Sequence, residues 1–113
     1  MVIFITPEFK RYKVMINKKY TPKRTVCKVT FKIPKEWASN EVSLVGDFNN
    51  WNPEANKLEA NKDFWQTTVR MKPKSQTKFR YFIDGQKWAN DDKADEYIPN
   101  NYGTEDSVLK IGK

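Results

Sequence analysis

The sequence has no histidine, a single cysteine and no long apolar stretch, and each of these features excludes some classes of protein. Without histidine, the chain lacks the commonest general base, the usual partner of a catalytic nucleophile and the commonest metal ligand. Cys27 alone cannot form an internal disulfide, so the fold does not depend on an oxidising compartment. These absences favour a protein without catalysis, cofactor or metal.

Signals for export or membrane insertion are also missing from the amino terminus. The first apolar run covers only residues 1–5, before Thr6 and Pro7. A signal peptide needs a basic region before a longer apolar run, and a membrane helix needs about 20 residues. We therefore expect a cytoplasmic protein with no membrane partner.

The formal net charge of +7 is unevenly distributed along the chain. Residues 1–35 carry ten Lys and Arg against one acid, a net charge of +9, whereas residues 36–113 carry eleven against thirteen, a net charge of −2. A basic excess at one end is more typical of a solvated tail than of a nucleic-acid-binding domain. We expect a basic, partly flexible leader at 1–24 and no nucleic-acid partner; nucleic-acid binding through this leader is the alternative.

Apolar residues alternate in short segments that begin after Pro22. These segments lie at 25–33, 41–45, 65–71, 77–83 and 107–111. Asp84-Gly85 is a strong hairpin signal, and a return strand begins at 86–88. The stretch 89–106 is polar and rich in turn residues, so its acids (Asp91, Asp92, Asp95 and Glu96) are expected to be solvated. Residues 35–40 allow one helical turn at most, and the whole pattern predicts an all-β antiparallel sandwich.

Two tryptophans and an arginine provide chemistry that suits a sugar. Trp51 follows two asparagines in a polar loop, where a large ring is unfavourable unless it packs inward or binds something. Trp88 lies just past the hairpin, within reach of Arg80. Indole faces pack well against the C–H groups of pyranose rings, and a cation can donate hydrogen bonds to the hydroxyls. The alternative is that Trp51 and Trp88 belong to the core, as we expect for Trp65, while Trp37 fits either interpretation.

Three segments are similar to one known family. They are VSLVGDFNNW at 42–51, FRYFIDGQKW at 79–88 and YGTEDSV at 102–108. In this order they resemble carbohydrate-binding module family 48, the early-set domain of isoamylases and branching enzymes, which is similar to the glycogen-binding domain of the AMP-activated protein kinase β subunit. The resemblance spans residues 26–111. It implies an immunoglobulin-like (early-set) sandwich at 25–113 that binds α-1,4-glucan.

The resemblance also implies which residues contact the sugar: Trp51, Arg80, Trp88, Tyr102, Thr104 and Asp106. Trp51 and Thr104 match the family pattern. Arg80, Tyr102 and Asp106 stand where the kinase-type domains have lysine, leucine and asparagine. Trp88 matches the second tryptophan of the family pattern, but Lys87 is an extra residue before it. One extra residue in a strand moves the following side chains to the other face of the sheet. The Trp88 ring therefore keeps its position only if a longer turn or a bulge absorbs the insertion.

We therefore expect a non-catalytic module that binds α-glucan of the glycogen or starch type. The alternative is a protein-interaction module on the same fold, accessory to a glycogen-metabolising enzyme, with a degenerate sugar site. Whether Trp51 and Trp88 lie on one face of the domain bears most directly on this choice.

Overall fold

The chain folds into short strands joined by turns. The computed structural model describes residues 14–23 and 25–112. The strands of this part of the chain are β1 (Met15–Tyr20), β2 (Cys27–Pro34), β3 (Val42–Gly46), β4 (Glu59–Ala60), β5 (Phe64–Met71), β6 (Ser75–Ile83), β7 (Lys87–Ala89), β8 (Glu96–Pro99) and β9 (Glu105–Ile111). Its helical elements are two 3₁₀ turns, Lys35–Trp37 and Asp47–Asn49. Neither these turns nor any other helix within the described ranges has the length and apolar character of a membrane span.

The strands form two antiparallel sheets that pack face to face. The four-stranded sheet has the order β1-β2-β5-β4, and the five-stranded sheet has the order β3-β6-β9-β8 with β7 also beside β6. Alternate side chains of each strand point between the sheets, where the rings of Phe31, Phe79 and Tyr81 meet edge to face. The predicted all-β, immunoglobulin-like antiparallel sandwich is confirmed.

The core contains the residues that alternation places there. Cys27 is fully buried on β2, and Trp65 on β5 is 5% exposed, as predicted for both. Trp37 is half-buried, and its ring stands edge-on to Tyr81 at 6.3 Å between centroids. Trp37 therefore packs against the core.

A strand lies inside the segment that the sequence analysis assigned to the leader. The expectation that strands begin only after Pro22 is wrong, because β1 pairs along its whole length with β2. Its pattern is hard to recognise because Lys18 occupies an inward position, where its ammonium reaches the Asp95 carboxylate at 2.9 Å and the Lys110 carbonyl oxygen at 2.7 Å. Residues 1–13 and 24 of the proposed leader lie outside the described residues.

The acidic stretch 91–96 is not uniformly solvated, and for Asp91 the expectation is wrong. Its side chain is fully buried, and it accepts a hydrogen bond from the Tyr81 hydroxyl at 2.6 Å. Burial raises the pKa of Asp91 above 3.8 and that of Tyr81 well above its usual range. The Tyr97 hydroxyl, on the unpredicted strand β8, donates to the Asp91 carbonyl oxygen. These contacts tie the chain after β7 to the core.

Candidate functional site

The candidate site lies on the outer face of the five-stranded sheet. Along β6, Phe79 and Tyr81 point into the core, so Lys78, Arg80 and Phe82 point outward. β9 pairs with β6 up to Phe79, and β7 pairs with β6 from Tyr81 onward. Arg80 therefore stands at the gap between two neighbouring strands, where loops from several parts of the chain meet.

Gly46 allows the loop after β3 to turn tightly over β6. A Cβ at this position would lie 2.3 Å from the Lys78 carbonyl oxygen and 2.9 Å from Cβ of Phe79, so only glycine fits. The side-chain Oδ1 of Asn49 accepts from the Gly46 backbone amide at 3.0 Å, and its side-chain Nδ2 donates to the Leu44 backbone carbonyl oxygen at 2.9 Å. The asparagine thus holds the loop closed and is not available to a ligand.

Two consecutive residues in the left-handed region place Trp51 at the sheet surface. Asn50 has φ 58° and Trp51 has φ 57°, and the Trp51 amide donates to the Gly46 carbonyl oxygen at 2.8 Å. The indole Nε1 donates to Oδ1 of Asp47 at 2.9 Å, while Oδ2 of the same carboxylate accepts from the Lys78 amide at 3.2 Å. Asp47 therefore fixes the orientation of the half-buried indole relative to β6.

The hairpin that carries Trp88 absorbs the extra residue in its turn. Asp84 and Gly85 have φ values of 52° and 68°, and Ile83 pairs with Lys87 across a three-residue connection. Trp88 therefore pairs with Phe82 and shares its outward face. The two rings lie 4.5 Å apart between centroids, and Trp88 remains 45% exposed. Phe82 supports one side of the indole while the other side is presented to solvent.

Asp84 has a structural role at the base of this hairpin. Its carboxylate accepts hydrogen bonds from the backbone amides of Ser39, Asn40 and Glu41 at 2.7–3.0 Å. These donors, that of Ser39 foremost, lower the pKa of Asp84 below 3.8. The turn is thereby tied to the chain before β3, which helps to fix the position of Trp88.

Arg80 joins the sheet to the loop between β8 and β9. Its Nε lies 3.1 Å from Oδ1 of Asp106, and its Nη2 donates to the Thr104 hydroxyl at 2.7 Å. Both nitrogens also donate to the carbonyl oxygen of Glu105. The side chains of Arg80 and Asp106 are only 15% and 13% exposed. The guanidinium is therefore engaged mainly by the protein itself.

Asn100 completes the polar floor of the site. Its amide nitrogen donates to the Thr104 hydroxyl at 2.9 Å and to the Asp106 carboxylate at 3.0 Å. Its side-chain Oδ1 accepts from the backbone amides of Tyr102 and Thr104. This network shapes the loop and projects the Tyr102 ring outward, where it is 89% exposed.

These elements surround one open pocket with a volume of about 770 Å³. All six residues singled out in the sequence line it: Trp51, Arg80, Trp88, Tyr102, Thr104 and Asp106. Trp51 and Trp88 therefore lie on the same face of the domain, as the sugar-site hypothesis requires. The half-burial of Trp51 and the exposure of Trp88 place neither ring in the core.

Further pocket residues were missed by the sequence reasoning: Asp47, Lys78, Pro99, Asn100 and Asn101. The alternation of β6 could have identified Lys78, because it places this residue on the same outward face as Arg80. Asp47 lies four residues before Trp51, at the start of the 3₁₀ turn Asp47–Asn49. Asn100 and Asn101 lie in a stretch where composition indicates only turns, so their contribution depends on how that loop folds over the sheet.

Comparison with known protein families agrees with this geometry. The model of carbohydrate-binding module 48 (isoamylase N-terminal domain) matches residues 26–98, more than half of the chain. No curated protein matches the chain. The matched range includes Trp51, Arg80 and Trp88 and most of both sheets. The chain therefore belongs to carbohydrate-binding module family 48, the isoamylase N-terminal domain, and membership of this family implies carbohydrate binding.

Proposed function

We propose that this protein is a non-catalytic module that binds α-1,4-glucan chains in the pocket on its five-stranded sheet. One observation carries this function: Trp51, Trp88 and Tyr102 gather around one open pocket of about 770 Å³. Flat aromatic faces suit the C–H faces of successive glucose rings. An open pocket, rather than a closed cavity, leaves room for a polymer to continue beyond the site.

The polar groups of the pocket divide into two sets. Arg80, Thr104 and Asp106 bond to one another and to the loop, so they act mainly as a rigid floor. Lys78 and Asn101, in contrast, line the pocket, and their side-chain end groups have no hydrogen-bond partner among the residues that the structure describes. We propose that these two side chains, more than Arg80, donate to glucose hydroxyls. A preorganised floor lowers the entropic cost of binding a flexible chain.

The carboxylates of the pocket support a binding role rather than hydrolysis. Asp47 accepts from the Trp51 indole and from the Lys78 amide, and Asp106 is held by Arg80 and Asn100. A glycosidase needs one carboxyl group as acid and another as base or nucleophile, each free to face the scissile bond. Here both groups are committed to positioning other side chains.

The direct test is a titration of maltoheptaose followed by tryptophan fluorescence, with cellohexaose as the β-linked control ligand. Trp51→Ala and Trp88→Ala should each weaken binding about tenfold or more, since one stacked ring contributes roughly 1–3 kcal/mol in comparable stacking. Lys87→Ala, an exposed neighbour outside the pocket, should leave affinity unchanged. Equal binding of both sugars, or unchanged affinity in folded tryptophan variants, would reject the proposed site.

A second function has one specific observation in its favour. Because the hydrogen-bonding groups of Arg80, Thr104 and Asp106 are mutually engaged, fewer of them can reach sugar hydroxyls than the family resemblance implies. The same exposed rings would then contact a protein, such as a glycogen-metabolising enzyme. Glycogen affinity electrophoresis separates the two functions, because only a working sugar site retards migration in a glycogen-containing gel.

A further inference from the structure

The outer face of the four-stranded sheet carries a concentrated positive charge, and the strand register brings that charge together. Lys19 on β1 stands opposite Lys28 on β2, and Lys28 stands opposite Arg70 on β5. Side chains opposed in this way have Cβ atoms only about 5 Å apart, and like charges there are unfavourable. Three neighbouring strands thus hold three cations in one row. Repulsion among these like charges is unfavourable for the stability of the isolated domain.

No acid interrupts this row on the described parts of the three strands, and on the neighbouring strand β4 Glu59 stands opposite Gln66 on the same outer face. The outward positions of the three strands comprise Met15, Asn17, Lys19, Lys28, Thr30, Lys32, Pro34, Phe64, Gln66, Thr68 and Arg70. Four of these eleven are cations and the other seven are neutral. We refer to these eleven residues as the basic face.

Three lysines away from this face, Lys18, Lys57 and Lys110, are paired with carboxylates, whereas Lys78 and Lys87 have no such partner among the described residues. Lys18 meets Asp95 at 2.9 Å, and Lys110 meets Glu96 at 2.8 Å. Within the described ranges, no carboxylate lies within ion-pair distance of Lys19, Lys28 or Arg70. The counter-charge that the basic face lacks within this part of the chain could come from a partner.

We infer that the basic face is a docking surface for an extended acidic segment of a partner protein. Lys28 and Lys32 stand four residues apart on one strand, about 13 Å, which is also the distance between side chains i and i+4 of an extended peptide. Between them, Thr30 and Thr68 share a hydrogen bond of 2.9 Å and present hydroxyls to a backbone laid across the sheet. A strand-like segment with carboxylates on one side matches this pattern of charge.

Other polyanions fit the basic face less well. Single-stranded nucleic acid binds largely through bases stacked on exposed aromatic rings, and the aromatic residue of this face, Phe64, is half-buried with the Lys32 ammonium 5.4 Å from its ring centroid. An anionic membrane surface is usually bound with apolar side chains that insert among the lipids, and on this face only Met15 is a large exposed apolar residue. The absence of both features favours a peptide carrying carboxylates.

The test uses the full chain and a fluorescently labelled decaglutamate peptide, with binding followed by anisotropy at low ionic strength. Lys28→Glu should weaken binding about fivefold or more, and added salt should weaken the wild type in parallel. Lys87→Glu makes the same change in net charge on the other sheet and should alter affinity less than twofold. Circular dichroism confirms that both variants fold.

Two outcomes would overturn the inference. Equal weakening by Lys28→Glu and Lys87→Glu would mean that the peptide responds only to net charge. Binding of a 20-base-pair duplex or of phosphatidylserine vesicles at least tenfold tighter than the peptide, at equal salt and lost in Lys28→Glu, would assign the face to nucleic acid or to a membrane. Maltoheptaose affinity should be unchanged in Lys28→Glu, so this inference and the proposed sugar site fail independently.

Discussion

The two outer faces of the sandwich have the same alternating strand geometry, but they differ in whether their cations are paired with carboxylates. On the five-stranded sheet, Arg80 is paired with Asp106 and covered by the loop before β9. On the four-stranded sheet, Lys28 faces two further cations and has no carboxylate partner within the described residues. One face uses its charges to build a shaped pocket, and the other holds cations that have no carboxylate partner in the part of the chain that the structure describes.

This difference shows how loops, rather than strands, create a binding pocket on a β-sheet. The loop after β3 brings Trp51 over β6, and the loop after β8 brings Tyr102 from the other side. Each loop is held by hydrogen bonds from buried or half-buried side chains, Asn49 in the first and Asn100 in the second. Five predictions test this comparison, beginning with the variant that should lose the most stability.

Gly46→Ala should have the largest effect, because its Cβ would collide with backbone at the base of the pocket. We expect a loss of about 3 kcal/mol in the free energy of unfolding, at the upper end of the usual cost of overpacking. Urea denaturation measures this loss. Gly112→Ala is the matched control, because its Cβ would meet only the Tyr20 hydroxyl at 3.6 Å. Similar stability of the two variants would contradict the tight turn at the pocket base.

Asp91→Ala should cost about 2 kcal/mol, because it leaves the buried Tyr81 hydroxyl without its acceptor. Asp92→Ala is the control; this neighbouring residue is exposed, so the change should stay within about 0.5 kcal/mol. Urea titrations of both variants give the comparison. Equal losses would mean that the acidic stretch acts through net charge and not through the buried contact.

The Asp91 variant should also reveal a pH dependence. Because the folded state raises the pKa of Asp91 above 3.8, this group's contribution to stability is full below the unfolded pKa and is lost as pH rises through the folded value. The stability difference between wild type and Asp91→Ala should therefore be larger near pH 3 than at about pH 7. A difference that grows with pH would contradict the raised pKa.

Asp47→Ala should separate sugar binding from stability. The indole of Trp51 would lose the acceptor that orients it, so maltoheptaose affinity should fall about fivefold, while the free energy of unfolding changes by about 1 kcal/mol or less. Asp47→Asn keeps an oxygen acceptor and should retain most of the affinity. If Asp47→Ala binds as tightly as wild type, the hydrogen bond at 2.9 Å does not position the ring.

Lys28→Ala should have the smallest effect on stability, within about 0.5 kcal/mol and of stabilising sign, because it relieves repulsion from Lys19 and Arg70. The gain should shrink as salt is added to the urea titration. Arg80→Ala provides the contrast from the other face and should destabilise, because Asp106 would lose its cation. A clear loss of stability in Lys28→Ala would mean that the basic face is internally compensated.

The amino-acid pattern alone was enough to predict the fold class and most of the strands. Alternation with a period of two is a local property, and β2, β3, β5, β6 and β9 lie where it predicts them. The Asp84-Gly85 hairpin and the three family segments also depend on neighbouring residues. They were enough to single out six residues that line one pocket.

Which charges are paired could not be predicted from the sequence, because the pairs form only when distant parts of the chain come together in the fold. Asp91 looks like its acidic neighbours in the sequence, and its burial depends on Tyr81 lying beside it in the folded chain. Arg80 finds Asp106 across a strand pair, whereas Lys28 finds Lys19 and Arg70 in the same kind of position. The physical reason is that register joins residues far apart in the chain, and a local pattern contains no information about which partner will stand opposite.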